Sequence, residues 1–230
     1  MKTVGIIGGF GPDTTAQFYR SVISISQKLE NRIRPPILIY SVPLPYAIEK
    51  ELILNSTGEE EYVPYLVEAA KILERGGADF LVMPCNTLHA FIDDIRASVS
   101  IPVLSIIAET TKYLKKNKIT EVALISTAST KKNKLYEKSF KPARIIFHVP
   151  SDAQQTRLNY LINELIMKDA TQKGKEQLEA IVATFALRKI ENVVLACTDL
   201  QLLKPQNSSV KIYDTMKILA DSTVGEILAE

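Results

Sequence analysis

Residues 80–87 read Phe-Leu-Val-Met-Pro-Cys-Asn-Thr, and residues 193–199 read Val-Val-Leu-Ala-Cys-Thr-Asp. In both stretches an apolar run ends at a cysteine and passes into small polar residues. An apolar run without alternating polar side chains is typical of a strand buried on both faces of a parallel sheet. Cys85 and Cys197 lie 112 positions apart in a chain of 230 residues. The sequence therefore predicts an internal repeat of about half its length.

The same alternation of short apolar runs and helical periods continues along the chain, which predicts an α/β fold with right-handed crossovers. The predicted strands are Val4–Gly8, Pro36–Val42, Phe80–Pro84, Pro102–Ile106, Val122–Ser126, Arg144–Val149, Val193–Cys197 and Val210–Tyr213. The predicted helices are 13–29, 62–75, 88–98, 107–116, 131–140, 152–168, 174–189 and 215–229.

The repeat extends on both sides of the cysteines. Residues 3–8 parallel residues 121–126, and residues 102–105 are matched by residues 210–214. We therefore expect two similar lobes, each a four-stranded parallel sheet flanked by helices, related by approximate twofold symmetry with the active site between them. The first lobe is expected to span 1–106 with the C-terminal helix 214–230 and to carry Cys85. The second is expected to span 107–213 and to carry Cys197.

The composition is that of a globular chain, with 46% hydrophobic and 23% charged residues. Twenty-eight basic residues against twenty-six acidic ones give a net charge of +2, which argues against nucleic-acid and anionic-membrane partners. No apolar run approaches the roughly 20 residues of a spanning helix. The glycines that follow Val4–Ile7 interrupt any signal-peptide core, so we expect a cytoplasmic location.

Both cysteines are expected at the carboxyl end of a strand and the start of a helix, where α/β proteins bind ligands. A helix N-terminus favours a thiolate and can hold a carboxylate. A single cysteine there is more often packing than chemistry. Recurrence of Cys85 and Cys197 at equivalent positions instead favours two opposed bases, the arrangement that inverts a carbon stereocentre by proton transfer.

Three motifs carry a family resemblance that spans nearly the whole chain. Residues 83–89, Met-Pro-Cys-Asn-Thr-Leu-His, resemble the first-cysteine motif of the aspartate/glutamate racemase superfamily. Residues 8–15, Gly-Gly-Phe-Gly-Pro-Asp-Thr-Thr, resemble the opening of its aspartate racemase branch. Residues 196–199, Ala-Cys-Thr-Asp, resemble the second-cysteine motif, with alanine for the usual glycine and aspartate for the usual glutamate.

The resemblance implies a cofactor-independent racemase that interconverts L- and D-aspartate or a similar small amino acid, uses no pyridoxal phosphate or metal, and forms a homodimer. It implies that Cys85 and Cys197 are the two bases. The substrate-binding residues that it implies are Asn86, Thr87, the backbone of Leu88, Thr127, Thr130, Arg157 and Thr198.

One departure concerns the substrate side chain. Aspartate-specific members carry an arginine after the second strand, whereas residues 44–48, Leu-Pro-Tyr-Ala-Ile, contain none. Arg157 is then the only cation that the motifs provide for a side-chain carboxylate. A bidentate arginine contact is a strong discriminator, so its loss weakens the case for strict aspartate specificity.

Several alternatives stay open at this point. The chain could be a broad-specificity racemase, a related isomerase, decarboxylase or hydantoin racemase, or a bilobed binding module for an acidic metabolite. His89 lies one helical turn after Cys85 and could raise its thiolate fraction, although a packing role is favoured. A zinc site of Cys85, His89 and Cys197 and a dinucleotide site at residues 5–11 are disfavoured.

Overall fold

The computed structural model describes residues 1–28, 34–55, 57–167, 171–206 and 209–229. They form two four-stranded parallel sheets with equivalent strand orders, β2-β1-β3-β4 and β6-β5-β7-β8. The first sheet consists of β1 (Val4–Gly8), β2 (Ile37–Ser41), β3 (Phe80–Val82) and β4 (Val103–Leu104). The second consists of β5 (Glu121–Ser126), β6 (Ile146–His148), β7 (Asn192–Ala196) and β8 (Lys211–Asp214). The predicted fold class is confirmed.

Ten α-helices are present in the described part of the chain. They are α1 (Pro12–Gln27), α2 (Tyr46–Asn55), α3 (Val63–Arg75), α4 (Ile92–Ser98), α5 (Ile106–Lys116), α6 (Ala128–Lys132), α7 (Leu135–Ala143), α8 (Asp152–Met167), α9 (Gln172–Leu187) and α10 (Thr215–Leu228). Three 3-10 helices span Glu59–Tyr62, Thr87–Phe91 and Asp199–Leu203. None of the helices in these described ranges is long and apolar enough to cross a membrane.

Three helical regions differ from the sequence expectation. The helix predicted over 88–98 is a 3-10 helix, Thr87–Phe91, followed by α4 (Ile92–Ser98). Helix α2 occupies a segment for which no helix was predicted, and it packs against α6 and α8 of the other half of the chain. The single helix predicted over 131–140 is two helices, α6 and α7. Lys134, with φ of 52°, turns the chain between them in the left-handed region. Lysine carries no local signal for that conformation, so the break was not visible in the sequence.

The apolar interior is arranged in three clusters. One lies on each outer flank, between the first sheet and α3 and between the second sheet and the α8–α9 pair. The third is shared: it joins inner-face residues of both sheets to α1, α5, α7 and α10. Helix α10 packs against α1 and α5, so a helix that follows the second sheet covers part of the first. The division into lobes at residue 106 stays a prediction, since the two sheets share this core.

Candidate active site

A cavity with an empty volume of about 490 Å³, counting its open mouth, lies between the two sheets. Residues from both halves of the chain line it. The first half contributes Phe10, Glu49, Leu52, Tyr62, Cys85, Asn86, Thr87 and Leu88. The second half contributes Thr127, Ser129, Ile162, Ile166, Cys197, Thr198 and Asp199. Cys85 and Cys197, which occupy equivalent positions in the predicted repeat, therefore line the same cavity.

Cys85 follows β3 and directly precedes the segment that enters the 3-10 helix Thr87–Phe91. The backbone N–H groups of Leu88 and Thr87 interact with its sulphur and favour the thiolate, as expected of a helix start. Burial opposes them and prevails, so the pKa of the Cys85 thiol is raised to about 12.

Cys197 follows β7 and is buried. Its Sγ lies 3.8 Å from Oδ2 of Asp199. Burial, followed by the negative charge of Asp199, raises the pKa of this thiol well above its usual value, and the charge of Cys85 adds to the effect. The sequence predicted thiolates favoured at helix starts; because both pKa values are raised, the two sulphurs are instead held as thiols. The coupling between them means that ionisation of one disfavours ionisation of the other.

Asn86 is held in place from two sides. Its Nδ2 donates to Thr215 Oγ1 at 3.2 Å, and Tyr136 donates its hydroxyl to Asn86 Oδ1 at 2.6 Å. Asn86 is only 1% exposed and still borders the cavity. Its side chain thus connects the loop after Cys85 to α7 and α10, which fixes the position of that loop.

Three threonine hydroxyls meet at the junction of the two halves. Thr87 Oγ1 lies 2.9 Å from Thr127 Oγ1 and 3.3 Å from Thr130 Oγ1. Thr127 also caps α6 by accepting from the backbone N–H of Thr130 at 3.1 Å. Of the three, Thr87 and Thr127 line the cavity. Thr130 is not part of the lining, and its hydroxyl contacts the hydroxyls of the other two.

The structure does not bring every residue implied by the resemblance to the cavity. Leu88 and Thr198 line it. Arg157 is exposed on α8, and the cavity-lining residues of that helix are the apolar Ile162 and Ile166. No lysine or arginine borders the cavity among the described residues.

Two acidic side chains that the sequence did not assign to the site do line it. Asp199 is 9% exposed and accepts a hydrogen bond from Thr14 Oγ1 at 2.7 Å. Glu49, half-buried on α2, has its pKa raised to about 7 by burial and then by the charge of Asp199, with the backbone N–H of Gly11 opposing the shift. In the sequence, Asp199 was recognised as part of the second-cysteine motif, but no role was assigned to it. Glu49 carried no signal, because α2 itself was not predicted.

Gly11 allows the backbone of the first half of the chain to approach Asp199 closely. Gly11 has φ of 76°, and a Cβ built on it would lie 2.6 Å from Asp199 Oδ1. Only glycine combines this backbone conformation with so close an approach.

His89 contacts the backbone with both ring nitrogens. Nδ1 lies 2.7 Å from the carbonyl oxygen of Cys85, and Nε2 accepts from the N–H of Ile106 at 3.1 Å. Burial lowers its pKa to about 4, so the ring is neutral with the proton on Nδ1. Histidine here fastens the Cys85 loop to α5. Across the described ranges, no three histidine, cysteine or acidic side chains are grouped so as to hold a metal ion.

Comparisons with known proteins relate the chain to amino-acid racemases. The family model Asp/Glu/Hydantoin racemase matches residues 7–223. The chain is 29% identical over 232 residues to the broad specificity amino-acid racemase RacX of Bacillus subtilis (strain 168), covering 98% of each chain. It is 24% identical over 207 residues to the glutamate racemase of Aquifex pyrophilus, covering 86% of this chain and 76% of that protein.

Solved structures show the same architecture. An aspartate racemase homologue from Pyrococcus horikoshii OT3 matches with a TM-score of 0.78 and 30% identity over the whole of both chains. The Picrophilus torridus aspartate racemase matches in fold with a TM-score of 0.81 and 22% identity, covering 99% of this chain and 94% of that one. With a family model that matches almost the whole chain, and with the expected motifs facing one cavity, this chain belongs to the Asp/Glu/hydantoin racemase family.

Proposed function

We propose that the chain is an amino-acid racemase that moves the Cα proton between Cys85 and Cys197. The observation that carries this proposal is that one cavity is lined by both thiols, each of which follows the equivalent strand of a different sheet. A stereocentre between two such groups can lose a proton from one face and gain one on the other.

The reaction balances without a co-reactant. A thiolate on one cysteine takes the Cα proton, and the C–H electron pair passes to Cα and is delocalised into the adjacent carboxylate. The thiol of the other cysteine then donates its proton to the opposite face of Cα and becomes the thiolate. The product is the mirror image of the substrate, and the thiol and the thiolate have changed places. The enzyme is then ready to catalyse the reaction in the opposite direction without any further proton transfer.

The electrostatics of the cavity make thiolate formation depend on the substrate. Burial keeps the pKa of both thiols high. The α-ammonium of an amino acid placed beside Asp199 puts a positive charge next to the Cys197 sulphur, which lowers the pKa of that thiol. The N–H groups around residues 86–88, with Thr87 and Thr198, provide donors for the α-carboxylate.

Broad specificity suits the cavity better than a preference for aspartate, the substrate that the resemblance implies. A side-chain carboxylate would have to meet Glu49 and Asp199 in a site whose described lining includes no lysine or arginine. A buried carboxylate without a cation is strongly disfavoured. We therefore propose broad specificity, in agreement with the description of the Bacillus relative.

Solvent exchange tests the proposal. The protein is incubated in heavy water with a panel of L-amino acids, and Cα deuteration is followed by NMR together with optical rotation. Deuterium incorporation accompanied by loss of optical activity supports the racemase. Binding without exchange would support a binding module instead, and loss of carbon dioxide would support a decarboxylase.

Two variants test the roles of the thiols. Cys85→Ala and Cys197→Ala should each reduce racemisation by at least about 100-fold, because one face of Cα loses its acid or base. Wild-type racemisation by either variant would refute the two-base assignment. Because the chain has two cysteines, no third one serves as a control, and circular dichroism with thermal melting checks that each variant is folded. The homodimer and the cytoplasmic location stay predictions; light scattering tests the first.

A further inference from the structure

The charge of the cavity is unbalanced. Two carboxyl groups, Glu49 and Asp199, line it, and no lysine or arginine does so among the described residues. Each carboxyl has its pKa raised by burial, and the charge of Asp199 further raises the pKa of Glu49. A buried carboxyl and a half-buried one that share a cavity, with no lysine or arginine in its described lining, favour the binding of a cation from outside the protein.

The two carboxyls have different surroundings. Asp199 is adjacent to the reacting sulphur, with Oδ2 at 3.8 Å from Cys197 Sγ, and Thr14 fixes its other oxygen at 2.7 Å. It is therefore beside the position of the reacting carbon. Glu49 belongs to α2, which crosses from the first half of the chain to pack on α6 and α8, and Tyr46 of the same helix donates to Asn163 of α8 at 3.2 Å.

The surroundings of Glu49 suit an extended side chain that ends in a charge. Leu52 on the same helix lines the cavity, as do Phe10 and the α8 residues Ile162 and Ile166. A ligand lying along these apolar groups would pack its methylene carbons against them and place its terminal group at the Glu49 carboxyl. Lysine, ornithine and arginine have this combination of an apolar stem and a cationic head.

The geometry points to Glu49 as a specificity-determining residue that receives the side-chain cation of a basic amino acid, while Asp199 receives the α-ammonium. This inference rests on the proposed function and names its substrate class. A basic amino acid brings two cations to two carboxyls. A neutral one leaves Glu49 without a partner, and an acidic one adds a third side-chain carboxylate to the same cavity, which like-charge repulsion opposes.

The test compares kcat/KM for L-lysine, L-ornithine, L-methionine and L-aspartate, because methionine has a similar stem without the charge. The wild type is expected to prefer lysine or ornithine over methionine by at least about 10-fold and over aspartate by more. Glu49→Gln should reduce the lysine-to-methionine ratio by about 10-fold or more. Glu51→Gln, the same change on an exposed position of the same helix, should leave the ratio unchanged.

Glu49→Asp guards against a folding artefact, because it keeps the charge and should retain a preference for lysine. A wild type that prefers aspartate, or a ratio unaffected by Glu49→Gln, overturns the inference.

A binding measurement separates this inference from the racemase proposal. If no amino acid is racemised, the two-base proposal fails. A thermal shift with L-lysine that is lost in Glu49→Gln and kept in Glu51→Gln would still support recognition by Glu49, and its absence would refute that as well.

Discussion

Acidification should weaken this fold through a single buried imidazole. His89 is 3% exposed, and its neutral ring accepts the N–H of Ile106 at Nε2 while Nδ1 donates to the carbonyl oxygen of Cys85. Protonation would turn the Nε2 acceptor into a donor that faces the donor of Ile106. Burial penalises the charged ring as well, and the pKa of His89 is lowered from 6.5 to about 4.

The sign follows from where the protons bind. Between these two pKa values the unfolded chain holds the extra proton and the folded chain does not, so the stability from His89 is complete above about pH 6.5 and is lost as the pH falls towards 4. Because each pKa unit is worth about 1.4 kcal/mol, the loss amounts to about 2 kcal/mol at pH 5 and about 3 kcal/mol at pH 4.

Urea unfolding followed by circular dichroism, at pH 7.5 and at pH 5, measures the effect in the wild type and in His89→Gln. Glu49 and Asp199, whose pKa values are raised, titrate in the opposite sense and are present in both proteins. The difference in unfolding free energy between the two proteins therefore isolates the contribution of the imidazole. The stability advantage of the wild type should shrink by about 2 kcal/mol between the two pH values. An advantage that stays constant to within about 0.5 kcal/mol would show that His89 is protonated in the fold without penalty.

Three other substitutions test how the site is held together. Tyr136→Phe leaves the Asn86 side-chain carbonyl without its buried donor and should cost about 1–3 kcal/mol of unfolding free energy, together with activity, because Asn86 adjoins the first cysteine. Gly11→Ala places a methyl group against Asp199 and strains a left-handed backbone, so it should reduce stability by about 1–2 kcal/mol and kcat/KM by at least about 10-fold. Glu59→Ala removes two hydrogen bonds to the region of α6, at 2.7 and 2.8 Å, and should cost about 2 kcal/mol.

Controls for these three variants are available in the same chain. Gly77 has φ of 92°, and a Cβ at this position would meet nothing within 4 Å, so Gly77→Ala measures backbone strain alone and should spare activity. Glu60→Ala removes an exposed neighbour of Glu59 and should change stability by less than about 0.5 kcal/mol. Equal activity losses in the two glycine variants, or equal stability losses in the two glutamate variants, would contradict the assigned contacts. For Tyr136→Phe, the contrary result is a variant indistinguishable from the wild type in urea.

The strands were the most predictable part of the molecule. β1 spans the predicted Val4–Gly8, and Cys85 and Cys197 follow β3 and β7 as their apolar runs indicated. The predicted strand 102–106 was too long, because Ser105 ends it by accepting the N–H of Ala108 and capping α5. Apolar runs mark buried strands directly, whereas their ends depend on such capping contacts.

The parts of the site that sequence reasoning missed depend on contacts between distant segments. Helix α2 follows Pro43 and Pro45, and its packing partners lie on α6 and α8, so its own sequence gives little sign of a buried face. Glu49 was missed with it. The raised thiol pKa values likewise come from burial in a cavity built by both halves, which outweighs the local helix-start effect that the sequence reveals.

The shared interior also has a consequence for synthesis on the ribosome. Val4, Ile6 and Phe18 are made well before α10, yet their cluster includes Leu219, Val224 and Ile227 of that helix. Lys2 also donates its backbone N–H to the carbonyl of Ile227 at 2.9 Å. A nascent polypeptide therefore exposes part of the apolar surface of β1 and α1 until α10 has been translated, and chaperones have the most to protect during that interval.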